Sequence, residues 1–219
     1  KRMSLKKRFS ENDLERIKAA VKEAESKVSG EIVPVFVEKS GFYTIANYRG
    51  AMVLAAFTFA IIVVLDRYAS SMAIYDPLLQ FIVVAAGGVL GAVLANYIDP
   101  FKHLLLSQFH LDQSTRKRAE SAFLDEEVFN TRHRTGIMIF VSFFEHEVIV
   151  MADRGISKVV SQKEWDKMVS GIIENIRRGK VTEGMVSAIQ RCSEVLLENG
   201  FVRTKDDVNE LRDDLRLED

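Results

Sequence analysis

Leu78–Ile98 reads LLQFIVVAAGGVLGAVLANYI, and Gly50–Leu65 reads GAMVLAAFTFAIIVVL. Neither stretch carries an Asp, Glu, Lys, Arg or His, in a chain of 219 residues with 30 Lys+Arg and 31 Asp+Glu. At about 1.5 Å of rise per residue, the longer stretch makes a helix of about 31 Å and the shorter one of about 24 Å. A bilayer's hydrocarbon core is about 30 Å thick. The longer stretch therefore crosses unaided. The shorter one crosses if Tyr48, Arg49 and Tyr68 lie in the interface, where their polar tips reach headgroups. A soluble core helix of this length shows a polar face, whereas Gln80 and Asn96 are the strongly polar side chains of the longer stretch. The chain reads as an integral membrane protein with a two-helix transmembrane hairpin in its middle.

Working outward, the loop Asp66–Asp76 holds one cation, Arg67. The flanks hold Lys39 and Arg49 before the hairpin, and Lys102, Arg116, Lys117 and Arg118 after it. The positive-inside rule then places both termini and the hydrophilic mass on the cytoplasmic side of a plasma or inner membrane. Lys1–Phe9 is basic, but a charged amphipathic segment follows it instead of the apolar region of a signal peptide. Gly87, Gly88, Gly91, Ala92 and Ala95 recur at helical spacing, a small-residue strip that lets helix backbones approach. Packing within the hairpin and a contact between protomers both fit that strip. The absence of Asp, Glu, Lys, Arg and His inside either run argues against a proton relay or an ion-coupled transporter. After the hairpin, Asp99 is suited to cap a helix and Pro100 to open it. Phe101, Leu104, Leu105 and Phe109 share a side, the pattern of a short interfacial helix. His103 and His110 lack a partner at ligand spacing and read as interfacial residues.

The net charge of −1 gives no case for a nucleic-acid partner. The single cysteine, Cys192, excludes an internal disulfide and lies on an apolar helix side with Ile189, Val195 and Leu196, hence buried and inert. Ser10 and Asp13 form a capping box opening a helix to about Lys27, with Phe9 and Leu14 as its staple. Glu31–Val37 (EIVPVFV) is a strand in which Pro34 predicts an edge or a bulge. A helix follows over about Gln113–Phe129, with Ala119, Ala122, Phe123 and Val128 inward. Gly136–Ser142 and Glu147–Ala152 predict an antiparallel hairpin turned through Phe143–His146. Val160-Ser161-x-x-Glu164-Trp165 is a second capping box with a Val160–Trp165 staple, and two helices end at Gly179 and Gly200. The charged tail from Thr204 predicts mobility. The fold class is α/β: a small mixed β-sheet packed by helices and interrupted by the hairpin. Its parts are 1–48 (helix and strand), 49–98 (hairpin), 99–203 (interfacial helix and the rest of the domain) and 204–219 (tail).

The order of short motifs is then informative. It runs Ser29-Gly30-Glu31-Ile32; Ala119-x-x-x-Phe123; Thr131-x-x-Arg134-Thr135-Gly136-Ile137; Ala152-Asp153-Arg154-Gly155-Ile156; Trp165; and Asn209-Glu210-Leu211. This set resembles the TPM domain family, whose relatives include thylakoid-lumen acid phosphatases linked to photosystem II repair, a nematode acetylcholine-receptor modulator and many bacterial membrane proteins. The chain departs from the family at Pro34, at Arg212 (where proline is common) and in the hairpin that splits the domain. The compartment of the relatives does not carry over.

Nucleophile elbow, P-loop and Cys/His metal patterns are absent from the sequence. The resemblance implies a phosphatase, for which carboxylates are the material. Asp153 ends one strand and Glu31 begins another. If these ends converge, the pair suits Ca2+ or Mg2+ through oxygen ligands, and Arg134 suits a phosphate clamp. In the alternative, Glu31 pairs with Arg134 or a helix N-terminus and Asp153 bonds to turn backbone. Three functions compete. One is an accessory or assembly factor for membrane protein complexes. The second is a self-assembling homo-oligomeric scaffold. The third is a divalent-cation-dependent acid phosphatase. The expected partners are the lipid bilayer and other membrane proteins or a second copy. The accessory or scaffold role ranks first, because function is argued from a site.

Overall fold

A computed structural model describes residues 5–69, 71, 73–204 and 209–218. It divides into two compact units: Lys1–Ser40 with Asp112–Asp219, and Gly41–Leu111.

The first unit is the α/β part. Its elements are α1 (Leu5–Arg8), α2 (Glu11–Glu25), β1 (Glu31–Val37), most of α6 (Gln108–Asp125), β2 (Gly136–Ser142), β3 (Glu147–Ala152), α7 (Arg154–Ser157), α8 (Gln162–Arg177), α9 (Val181–Glu198) and β4 (Arg216–Glu218). The sheet is mixed, in the order β3-β2-β1-β4. β1 runs parallel to β2 and to β4, and β2 runs antiparallel to β3. β1 and β2 are buried along their whole length, so both read as continuous apolar runs without alternation. Side-chain parity divides the core in two. Ile32, Phe36, Ile137, Ile139 and Val141 share one cluster with Ile17 and Val21 of α2, Trp165 and Met168 of α8, and Met185 and Ile189 of α9. Val33, Val35, Val37, Met138 and Phe140 share the other with Ala119 and Ala122 of α6 and with Val128. Helices therefore cover both faces.

Local signals set most boundaries. Ser10 caps α2, and the capping box with Asp13 is complete: the Asp13 N–H donates to Ser10 Oγ, and the Ser10 N–H donates back to Asp13 Oδ2. Ser161 caps α8 by position, but without a side-chain bond. The second box is not made, because Glu164 bonds Lys167 and Arg191 instead. Val160 and Trp165 are both buried in the first cluster. The β2–β3 hairpin has the predicted bounds. Cys192 is fully buried beside Met168, and burial pushes its thiol up to about 12.

Three expectations are corrected. α6 starts at Gln108, ahead of the predicted Gln113, because the Ser107 carbonyl accepts from the His110 and Leu111 N–H groups and closes an earlier first turn. The tail after Thr204 contributes a strand to the sheet. Arg216–Glu218 form β4, held by the Arg216–Glu126 pair at 2.7 Å, Lys18–Asp214 at 2.9 Å and Arg118–Glu218. Residues 205–208 lie outside the described residues. Pro34 does not sit in a bulge, and β1 is an interior strand only from Val35 onward, where β4 pairs with it. β4 begins opposite Val35, one residue beyond the proline. Glu31 N–H donates toward β2, to the Thr135 carbonyl, and Glu38 N–H toward β4, to the Glu218 carbonyl. Alternation then points position 34 toward the β4 side, where no strand has yet started, so the missing N–H costs no ladder bond.

The second unit is helical: α3 (Thr44–Tyr68), α4 (Pro77–Tyr97), α5 (Asp99–Leu105) and the first turn of α6. Both long helices are long and apolar enough to cross a membrane, with mean hydropathy of 2.1 and 2.3 in their most apolar windows and 11% of each window buried. α3 has 25 residues, about 37 Å, so it is longer than its uncharged core of 50–65 suggested. α3 and α4 pack together, and backbone meets backbone at Gly50 and Gly91. A Cβ on Gly91 would lie 2.1 Å from the Gly50 carbonyl oxygen, and one on Gly87 2.3 Å from Thr58 Oγ1. Small residues make this approach possible. Asp99 lies inside the first turn of α5, whose cap position is Ile98.

Candidate functional site

The motifs scattered along the sequence meet at one end of the sheet, where β1 and β2 start and β3 stops. Register places Glu31 beside Gly136, and the Asp153 N–H donates to the Gly136 carbonyl at 2.9 Å. Gly136 has no room for a side chain, since a Cβ would lie 1.9 Å from the Val128 carbonyl oxygen. Thr131 Oγ1 accepts from the Thr135 N–H at 2.9 Å and fixes the loop before β2. Arg134 adopts a left-handed conformation (φ 58°), and its carbonyl accepts from the Gly155 N–H at 2.9 Å.

Each candidate residue is engaged. Glu31 is 8% exposed and accepts the Glu210 and Leu211 N–H groups at 3.1 and 3.2 Å. Burial raises its carboxyl above the usual range, and the two N–H groups oppose that rise. Asp153 caps α7, accepting the Arg154 N–H at 2.7 Å; its second, buried oxygen lies 3.0 Å from Arg134 Nε as an ion pair but makes no hydrogen bond. Arg134 also donates to the Phe129 carbonyl at 3.0 Å. Glu210 accepts the Arg132 N–H at 2.8 Å. Glu31, Arg134 and Asp153 thus share a sheet end, where Arg134 pairs with Asp153 and Glu31 bonds instead to the backbone N–H groups of Glu210 and Leu211. Among the described residues, no group of three or more His, Cys, Asp or Glu is placed to hold a metal ion. A cation at Glu31 and Asp153 requires those bonds to be exchanged.

Glu25 belongs to the same end and was not singled out from sequence. It closes α2, where a carboxylate opposes the helix dipole, and that misplacement was the available signal. One of its oxygens accepts the Ile32 N–H at 2.9 Å, filling the gap on the β1 edge before β4 begins. The other is buried without a hydrogen-bond partner. Burial pushes its carboxyl up to about 9, with Glu31 and Asp213 adding to the rise.

The opposite end of the sheet is organised around the Phe143–His146 turn. Glu145 is 2% exposed, accepting from the Ser40 N–H at 2.9 Å and from Ser142 Oγ. Glu147 is raised by burial first and then by a bond to Asp112 that a shared proton satisfies. Beside this turn lies a cleft of about 660 Å³ between the hairpin, α1, α8 and the start of α9. Its floor is Phe9, Phe143, Val148 and Ile176, and Arg8 and Arg177 stand on its rim. Their convergence on one cleft carried no sequence signal, because only the packing of α8 against β3 brings them together.

The fold and the motif end define an α/β protein with a four-stranded mixed sheet and a helical hairpin between its first two strands. Residues 106–195 match the model of the TPM domain family. The match begins after the hairpin. The structure adds α2, β1 and β4 to the same unit. The BA42 protein of the psychrophilic bacterium Bizionia argentinensis, solved by NMR, has a similar fold: the TM-score is 0.56 at 19% identity, over 95% of this chain and 94% of that one. No curated protein matches the chain.

Proposed function

We propose that this is an integral membrane protein whose hairpin anchors a TPM domain at the cytoplasmic face. In this reading the domain acts by binding, as an accessory or assembly factor for membrane protein complexes. The observation that carries the binding role is the state of the motif end: Glu31, Arg134 and Asp153 all hold the sheet together. The membrane reading is supported by apolar side chains exposed on every side of the helices, among them Phe57, Phe59, Phe81 and Leu90. A surface of this kind is unstable in water and stable in lipid. Tyr48 and Tyr97 stand exposed toward one end of the hairpin, and Tyr68 and Tyr75 toward the other. That is the distribution of interfacial aromatic belts. The cytoplasmic orientation rests on the excess of Lys and Arg in the flanks over the loop.

A divalent-cation-dependent phosphatase is the second reading, favoured because two carboxylates and an arginine share one sheet end. A bound Ca2+ or Mg2+ would supply polarisation of a phosphate ester there. The test is hydrolysis of a generic phosphomonoester by the full chain, with and without Ca2+ or Mg2+. The expected outcome is no turnover that Asp153→Ala abolishes. Divalent-dependent turnover that the variant loses overturns the binding role in favour of the enzyme.

A further inference from the structure

We propose that the cleft beside the Phe143–His146 turn binds a single-chain amphiphile with an anionic head, a carboxylate or a phosphate monoester. This inference is independent of the function proposed above. It rests on three features of the cleft. The volume, about 660 Å³, falls in the range of small-molecule sites. The floor is apolar and continuous with the core: Phe9 packs on Phe36 and Phe143 with ring centroids 5.1 and 6.0 Å away. The rim cations are free of acids. Arg8 lies 4.7 Å over the Phe143 ring, and among the described residues neither Arg8 nor Arg177 pairs with a carboxylate.

The acids that line the cleft are committed elsewhere. Asp13 accepts from the Ser10 N–H and from Thr182 Oγ1, and those bonds to Ser10 and Thr182 hold its carboxyl below the usual range. Glu183 pairs with Arg16 at 3.4 Å, and Glu147 is bonded to Asp112. An incoming anion therefore meets two guanidiniums that no carboxylate among the described residues already pairs. Guanidiniums bind carboxylate and phosphate through paired N–H donors. An apolar chain attached to that head covers the exposed parts of Phe143, Val148 and Ile176, which water otherwise wets.

The test uses the full chain in nanodiscs of zwitterionic lipid, with a dodecanoate that carries a photoreactive diazirine. Saturable crosslinking is mapped by peptide mass spectrometry. The expected label falls on the Phe143–Val148 turn or on α8. Dodecanoate or dodecyl phosphate competes, and whichever competes better identifies the head, while dodecanamide competes about tenfold less well. Arg8→Ala with Arg177→Ala raises the half-saturating concentration about tenfold, and the paired lysine variants restore most of the loss. The site is overturned by label confined to α3 and α4, by equal competition from dodecanamide, or by unchanged labelling of the alanine variant. Both arginines are exposed, so the variants keep the melting temperature of the parent chain.

Discussion

The two ends of the sheet are built on opposite plans. At the motif end, charged groups bond to backbone and to one another across four segments of chain: the start of β1, the loop before β2, the end of β3 and the segment leading to β4. At the turn end, two guanidiniums that pair with no carboxylate among the described residues line a cleft with apolar residues at its floor. The first arrangement ties distant segments together through charge, although one oxygen each of Glu25 and Asp153 stays buried without a hydrogen bond. The second leaves binding capacity open toward solvent. Short motifs that mark a family thus need not mark its binding surface. Here they mark the joint.

Substitutions at the joint sharpen this contrast. The largest effect is expected for Gly136→Ala, whose Cβ collides with the Val128 backbone. Overpacking against backbone that cannot yield costs about 3 kcal/mol or more. The variant is expected to lose its cooperative melt in circular dichroism, and a melt like that of the parent breaks the joint reading. Glu31→Ala comes next. It strands two backbone N–H groups and frees the segment before β4. The expected loss is about 2–3 kcal/mol. Amide exchange at Arg216–Glu218 should quicken before exchange at β2, and uniform quickening would show that β4 is held by its other contacts.

The smallest effect has the opposite sign. Glu25 ionises near 4.5 in the unfolded chain and near 9 in the folded one. Between those values the folded state holds the extra proton, so stability falls as pH rises through that window. Glu25→Gln keeps the acceptor for Ile32 N–H and cannot ionise. It should stabilise the domain at pH 8 and flatten the slope of melting temperature against pH. An unchanged slope in the variant assigns the pH dependence to other groups.

Much of the fold was legible in the residues. Ser10 and Asp13 fix the start of α2 because a capping box is local chemistry. The run GIMIFVS-FFEH-EVIVMA fixes the hairpin because strand period and turn length are local too. The role of Pro34 was legible only in part, since its tolerance depends on where β4 starts, about 180 residues later in the chain. The tail was misread for the same reason. Its charge suits solvent, and only Glu126, Lys18 and Arg118, contributed by distant helices, turn that charge into anchoring. At the candidate site, Glu31, Arg134 and Asp153 were found by motif, while Glu25, Arg8 and Arg177 were not.

The sequence by itself determined two helices able to cross a bilayer, the split of the α/β domain around them and the identity of the motif residues. Each of these follows from composition or from spacing over a few residues. The tertiary structure alone decided that β1 is an interior strand from Val35 onward, that the last residues complete the sheet, and that the motif carboxylates are already bonded. It also decided that two cations paired with no carboxylate among the described residues lie at the other end of the sheet. The physical reason is that hydrogen-bond satisfaction and burial of charge depend on which distant segments meet, and no local pattern records that.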